Sequence, residues 1–264
     1  MILIPFFIFG LGALVAAVPN QHLGIINGRN ATRGEFKYIA SFQLCTRPDD
    51  CIHDCNAIVI SQSWALIVAD CVTVFDYYAF QVHAGMFNLH DPKRQIRTAE
   101  KAVRHEKYDP SITESDYNIA VIKVDTPFIF NDMLQPATLP QANSNVSEGE
   151  AVITGFGAAD YNSLYSIRLQ TSTVEVVNTE ACLDYIGRNH PLPEYHNSVV
   201  CTGPGSCVGD STAPVVQNGT VQALSDWALN LCDPLNAINV YTKVSPYISW
   251  IQENIDEELT LAKN

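Results

Sequence analysis

Positive charge is scarce in this chain of 264 residues. Its 15 lysines and arginines face 28 acids, a formal net charge of −13. That balance excludes ready attraction to nucleic acid, heparin-like polymers or anionic membranes. Charged residues of both signs reach only 16 % against 47 % hydrophobic residues, which excludes a disordered chain. No Cys-x-x-Cys pair occurs and His53 is the one imidazole near the first cysteines, so the usual zinc pattern is missing. Beyond residue 17 no second long apolar run follows. No stretch keeps a helical period until the C-terminal end, which argues against a helical bundle.

What is present points outward from the cell. Residues 2–17 are apolar, end in small residues, and fall short of the roughly 20 needed to span a bilayer. They read as a secretory signal (1–17) rather than an anchor. Eight cysteines in such a chain suggest four disulfides, whose pairing spacing alone does not give. Asn30, Asn145 and Asn218 each open an Asn-x-Ser/Thr glycosylation sequon.

From residue 38 onward short apolar runs alternate with polar turns. They are 38–44, 57–60, 65–68, 79–84 and 118–124, then 150–155, 169–177, 198–201, 213–216, 221–224 and 238–244. This pattern reads as an all-β sandwich or barrel. A short helix is expected over 179–186. The clearest helix follows Ser245 as N-cap and Pro246 at its first position, with Val244, Ile248, Ile251 and Ile255 as one apolar stripe. Residues 256–264 read as a frayed tail.

Three stretches carry the chemistry. They are Ser63-Trp64-Ala65-Leu66-Ile67-Val68-Ala69-Asp70-Cys71, then Asp116-Tyr117-Asn118-Ile119-Ala120-Val121-Ile122-Lys123-Val124, then Cys207-Val208-Gly209-Asp210-Ser211-Thr212-Ala213-Pro214. In order they resemble the His, Asp and Ser segments of the trypsin-like (chymotrypsin-fold) serine proteases, which read W-x-L-T-A-A-H-C, D-I-A-L-x-K-L and C-x-G-D-S-G-G-P. Gly155-Phe156-Gly157 resembles the family's G-W-G, and Ile25-Ile26-Asn27-Gly28 its mature start. The phrase Arg104-His105-Glu106-Lys107-Tyr108-Asp109 looks like arthropod members, and no clip domain has room upstream.

The resemblance implies two six-stranded antiparallel Greek-key barrels and a C-terminal α-helix. Barrel one would cover about 25–130, barrel two about 131–245 and the helix 246–255, after a short propeptide at 18–24. It implies disulfides Cys55–Cys71, Cys182–Cys201 and Cys207–Cys232, leaving Cys45 and Cys51 to close a small loop. It implies an activation pair between Ile25 and Asp210, although Gly24 offers no tryptic cleavage site. His53 falls where some family zymogens hold a histidine that pairs with that same aspartate; a plain loop histidine is the alternative. The oxyanion donors would be Gly209 and Ser211. The specificity pocket would have Gly205 at its base and Ala228 and Asn239 in its walls, with no acid to recognise Lys or Arg. Met86 stands where calcium-binding members carry Glu, so no metal and no cofactor is expected.

The frames are kept and the chemistry is not. Asp70 replaces the family's His, Asn118 replaces its Asp, and only Ser211 survives. No histidine lies within ten residues of position 70. A serine hydroxyl needs an adjacent base, and a carboxylate with a pKa of about 3.9 is a poor one near neutral pH. Asp226 precedes Trp227 where the family has Ser-Trp, so Asp70 and Asp226 would face each other near Ser211; a slip of one residue would put Ser225 there instead. Thr212-Ala213 and Asn56-Ala57 replace two Gly-Gly pairs, which suggests a refilled cleft. The expectation is a secreted, monomeric, non-catalytic serine protease homologue that acts by binding a protein, as decoy, competitor or cofactor of active proteases, with no nucleic acid or membrane partner. The alternatives are a weak hydrolase using Ser211, or an abundant secreted protein with no partner.

Overall fold

Twelve strands in two sets of six build the molecule, as a computed structural model shows for residues 25–112, 114–158, 165–188 and 197–263. The expected leader and propeptide lie outside these described residues. A two-residue strand, β1 (Arg29–Asn30), stands before them.

The first barrel contains β2 (Ile39–Arg47), β3 (Asp50–Val59), β4 (Trp64–Ile67), β5 (Ala79–Ala84), β6 (Gln95–Arg104) and β7 (Ala120–Val124). It closes in the order β2-β3-β4-β7-β6-β5. The second contains β8 (Gly149–Gly155), β9 (Gln170–Val177), β10 (Val199–Thr202), β11 (Pro214–Gln217), β12 (Thr220–Leu229) and β13 (Ile238–Lys243). It runs β9-β10-β13-β12-β11-β8 and closes because β8 also pairs with β9. In each barrel the fourth strand returns beside the first, so β5 pairs with β2 and β11 with β8: a Greek key in both. The expected all-β two-barrel architecture is therefore observed.

β6 is the strand that the sequence hid. Its ten residues, Gln-Ile-Arg-Thr-Ala-Glu-Lys-Ala-Val-Arg, bury no side chain fully. A strand whose outer face is charged carries little apolar signal.

Phe42 stacks on Phe80 at 4.5 Å in the core of the first barrel. Tyr241 and Ile25, both fully buried, fill the second. β1 pairs with β9, which ties the chain leading into the first barrel to the second. The helix α1 (Thr179–Gly187) starts at Asn178, whose side chain accepts from Ala181 N at 2.9 Å.

Two C-terminal expectations need correction. Ser245 is no N-cap: it lies inside a 3₁₀ turn (Ser245–Tyr247), and its hydroxyl donates to Ser144 O at 2.7 Å. The α-helix proper, α2, is Ile248–Asn254, and its stripe of Val244, Ile248, Ile251 and Ile255 is buried as expected. The tail is not frayed. Trp64 Nε1 donates to Asp256 Oδ1 at 2.7 Å, and residues 260–262 run parallel to Leu139 through two 2.8 Å backbone bonds.

Four disulfides form: Cys55–Cys71, Cys182–Cys201 and Cys207–Cys232, as the resemblance implied, and Cys45–Cys51, the remaining pair, which closes the small loop. They fit an oxidising compartment. Among the described residues no helix is long and apolar enough to cross a membrane. Asn30, Asn145 and Asn218 are all exposed.

Candidate active-site cleft

The three motif stretches meet between the barrels. Asp70 is the exposed residue of a 3₁₀ turn (Ala69–Val72) that the Cys55–Cys71 disulfide pins to β3. Asn118 is buried just before β7, after Tyr117 with φ 62°. Ser211 follows a turn in which Gly209 takes φ 79° and Cys207 is bridged to Cys232. Together they border a cleft of about 370 Å³ whose walls include Asp70, Ser211, Ser225, Asp226, Trp227 and Ala228.

Asn118 is the hinge of the hydrogen bonding. Its Oδ1 accepts from the backbone N–H of Asp70 at 2.9 Å, and its Nδ2 donates to Asp226 Oδ1 at 2.7 Å. The other Asp226 oxygen accepts from Thr242 Oγ1 at 2.9 Å. Burial pushes the Asp226 carboxyl up to about 7, with the charges of Asp70 and Asp116 adding to it and both hydrogen bonds opposing. Asp70 itself accepts from the Tyr108 hydroxyl at 3.3 Å. Asp116 turns elsewhere and is held by the hydroxyls of Ser198 and Tyr247.

Asp226 reaches this place through a β-bulge. On β12, Ser225 pairs with Tyr241 and Trp227 with the next residue of β13, Val240, so Asp226 is the extra residue. A bulge re-aims one side chain. The register that puts Asp226 in the site is the one observed.

Ser211 stands apart in the cleft. Its hydroxyl makes no hydrogen bond to any described residue, and no described residue lining the cleft is a histidine. The N–H groups of Gly209 and Ser211 also make no hydrogen bond to any described residue. The Gly209 carbonyl points the other way, accepting from Asn56 Nδ2 at 3.4 Å and lying 3.1 Å from His53 Nε2. His53 is buried against Ser41, 2.8 Å from its Nδ1, and burial pushes its pKa down to about 4. It does not touch Asp210.

Asp210 is fully buried. Its carboxylate accepts from Gly157 N and Cys207 N, both at 3.0 Å. Burial pushes its pKa up to about 7. The Ile25 nitrogen, in the uncut chain, donates to Ala158 O at 3.2 Å rather than to Asp210, so the activation pair is not made here. A β carbon on Gly157 would lie 2.2 Å from the Asp210 carboxyl carbon, so only glycine fits there.

The refilled cleft is not observed. Asn56 and Thr212 are wholly buried behind Ser211, where they join the barrels. Asn56 Oδ1 accepts from Phe156 N at 3.0 Å, and its Nδ2 donates to Ser211 O at 3.2 Å. Thr212 Oγ1 accepts from Val68 N at 3.0 Å, at a φ of 67° that costs a β-branched residue about 1–3 kcal/mol. The added side chains made hydrogen bonds and left the cleft open. Gly205 stands behind the pocket wall, with Val174 and Ile153 methyls within 2.8 Å of where a β carbon would lie. Asn239, fully buried, caps the neighbouring Ser206 backbone at 3.3 and 3.4 Å. Tyr108 and Thr242 were not singled out from sequence; only their partners in space mark them.

A family model described as Trypsin matches residues 25–251. The chain belongs to the trypsin family. It is 30 % identical to Trypsin-4 of Rattus norvegicus over 258 residues, covering 95 % of this chain and 97 % of that protein. It is 29 % identical to Trypsin-1 of Astacus astacus over 244 residues (87 % and 99 %), and 28 % identical to Lectizyme of Glossina austeni over 247 residues (88 % and 86 %).

Proposed function

We propose that this trypsin-family chain is a secreted, non-catalytic homologue that acts by binding a protein through its cleft. One observation carries the reading: the Ser211 hydroxyl contacts no base, with Asp70 where the family places histidine. An exposed carboxylate has too little proton affinity near neutral pH to activate serine, and it has no second nitrogen to serve as acid for the leaving amine. Asp226, whose proton affinity is in the right range, spends both oxygens on Asn118 and Thr242. The open cleft on an intact, four-disulfide scaffold remains fit to hold a segment of a protease, inhibitor or substrate.

The unpaired N–H groups of Gly209 and Ser211 favour a second reading, a weak hydrolase. Donors and binding alone supply about 10³–10⁴-fold over water, far below a working protease. Incubation with a broad peptide library separates the two. No cleavage above that of Ser211→Ala is expected; cleavage that Ser211→Ala abolishes overturns the proposal.

A further inference from the structure

A groove of about 650 Å³ lies on the second barrel and shares no lining residue with the Ser211 cleft. Its size falls within the roughly 300–1,000 Å³ of small-ligand pockets. Val152 of β8, Thr173 of β9 and Val216 of β11 line it, with Phe36 beside them. Its two charged residues, Arg29 and Glu35, are spent on each other through hydrogen bonds of 2.5 and 3.1 Å. A free ion would have to break that pair; a neutral ligand would not. Such a ligand could lay CH groups on the Phe36 ring and the valine methyls and offer hydroxyls to Thr173. The Thr173 side chain is exposed and makes no hydrogen bond to any described residue. Aromatic and aliphatic carbon beside uncharged polar groups is the lining that suits a sugar.

The same groove is lined by Asn218, the acceptor of the sequon Asn218-Gly219-Thr220. Asn218 and Gly219 form the two-residue turn between β11 and β12, with φ of 51° and 73°. That primed hairpin turn is a stiff mount. The Asn218 amide makes no hydrogen bond to any described residue. The other two sequon asparagines do not line the groove, and Asn30 Oδ1 accepts from Gln170 Nε2 at 2.8 Å. We propose that Asn218 carries an N-linked glycan whose first sugars lie in this groove instead of standing out in water. The transfer joins the anomeric carbon of a lipid-diphosphate-linked oligosaccharide to Asn218 Nδ2. The bond from that carbon to the diphosphate breaks, one amide N–H bond breaks, the lipid diphosphate leaves and the proton passes to solvent. Tethering sets a local sugar concentration of roughly millimolar, so weak contacts are enough to hold the glycan down. Once seated it covers apolar floor and lies against Arg29 of β1, which braces that two-residue strand on β9.

The test uses the full chain secreted by eukaryotic cells and is independent of what Ser211 does. Peptide mapping by mass spectrometry is expected to find sugar on Asn218. Peptide:N-glycosidase is then applied to the folded protein. Release from Asn218 is expected to be about tenfold or more slower than release from an Asn145 or Asn30 that carries sugar, or than release from Asn218 itself after denaturation. In protein with ¹³C-labelled sugar, nuclear Overhauser contacts are expected between the first sugar and the Phe36 ring. Thr220→Val deletes the sequon and keeps a β-branched residue at a position only 6 % exposed. It is expected to lower the melting temperature by about 2–4 °C. Enzymatic removal of the glycan from the unmutated chain is expected to lower it equally, which separates loss of the sugar from any effect of valine. An unmodified Asn218 in the secreted protein overturns the proposal. So does an Asn218 glycan released equally fast from folded and denatured protein, or one with no contact to Phe36. Each of those results leaves the reading of the Ser211 cleft untouched.

Discussion

Asn118 gives its side-chain N–H to Asp226 at 2.7 Å, so the buried carboxylate of this site stands one hydrogen bond away from where the family's motif holds it. On the proposed reading, Asn118 stands at the motif's aspartate and Asp226 beside it, so the buried carboxyl group of the site lies on β12.

That exchange sets what repair requires. Asp70→His with Asn118→Asp is expected to give no turnover. The new carboxylate would lie against Asp226 Oδ1 and replace an attraction with a like-charge contact. Adding Asp226→Ser removes the conflict, and the triple variant is expected to hydrolyse peptides in a Ser211-dependent way. The open cleft, with Asn56 and Thr212 behind it, leaves room for the imidazole. Progress curves on a general peptide substrate check this; robust turnover by the double variant would contradict it.

Two buried aspartates lower stability as pH rises, and two buried histidines, His53 and His83, both pushed down to about 4 by burial, oppose them below about pH 6.5. The Asp226 and Asp210 carboxyls are both pushed up to about 7, chiefly by burial. An unfolded aspartate releases its proton near pH 4. Between about pH 4 and pH 7 these two carboxyls therefore bind more protons folded than unfolded, so their own contribution declines across that window and levels off above it. Glu35, held down to about 2 by Arg29, has the opposite sign but acts only below about 4.5. Asp226→Asn is expected to gain on the order of 1 kcal/mol at pH 7.5 and almost nothing near pH 4. Thermal melts at several pH values read this directly.

Asn56 is a structural bridge. Asn56→Ala leaves the buried Phe156 N–H without its acceptor and frees the Ser211 carbonyl. The expected loss is about 2–3 kcal/mol in denaturant unfolding. A loss under about 0.5 kcal/mol would mean that the bridge is not needed.

The docked tail should also matter. A chain ending at Ile255 loses the Asp256 contact of Trp64 and the backbone bonds along Leu139. We expect destabilisation of about 1–3 kcal/mol, seen as a lower melting temperature, with peptide binding in the cleft retained.

The two barrels could be read from sequence because most strands bury one face and because the cysteines fell at family positions. β6 could not, since its side chains stay largely at the surface. The replaced residues Asp70 and Asn118 were equally plain. Their consequences were not. A bulge has no sequence signal, so the register that aims Asp226 at Asn118 emerged only from the pairing of β12 with β13. The lost glycines suggested crowding because sequence gives side-chain size but not direction. Asn56 and Thr212 point into the seam between barrels and satisfy backbone groups there. The tail was misjudged because its docking depends on contacts nearly 200 residues away, such as Trp64 to Asp256.

The most direct measurement concerns Ser211 itself. Protein secreted from its native tissue, with its N-terminus read by mass spectrometry, would be exposed to a fluorophosphonate that labels activated serines, beside Ser211→Ala. The expected result is no labelling above the variant, because no base reaches the hydroxyl. Labelling of Ser211 that the alanine variant abolishes would contradict the non-catalytic reading, and Asp226 would be the first group to test as its base.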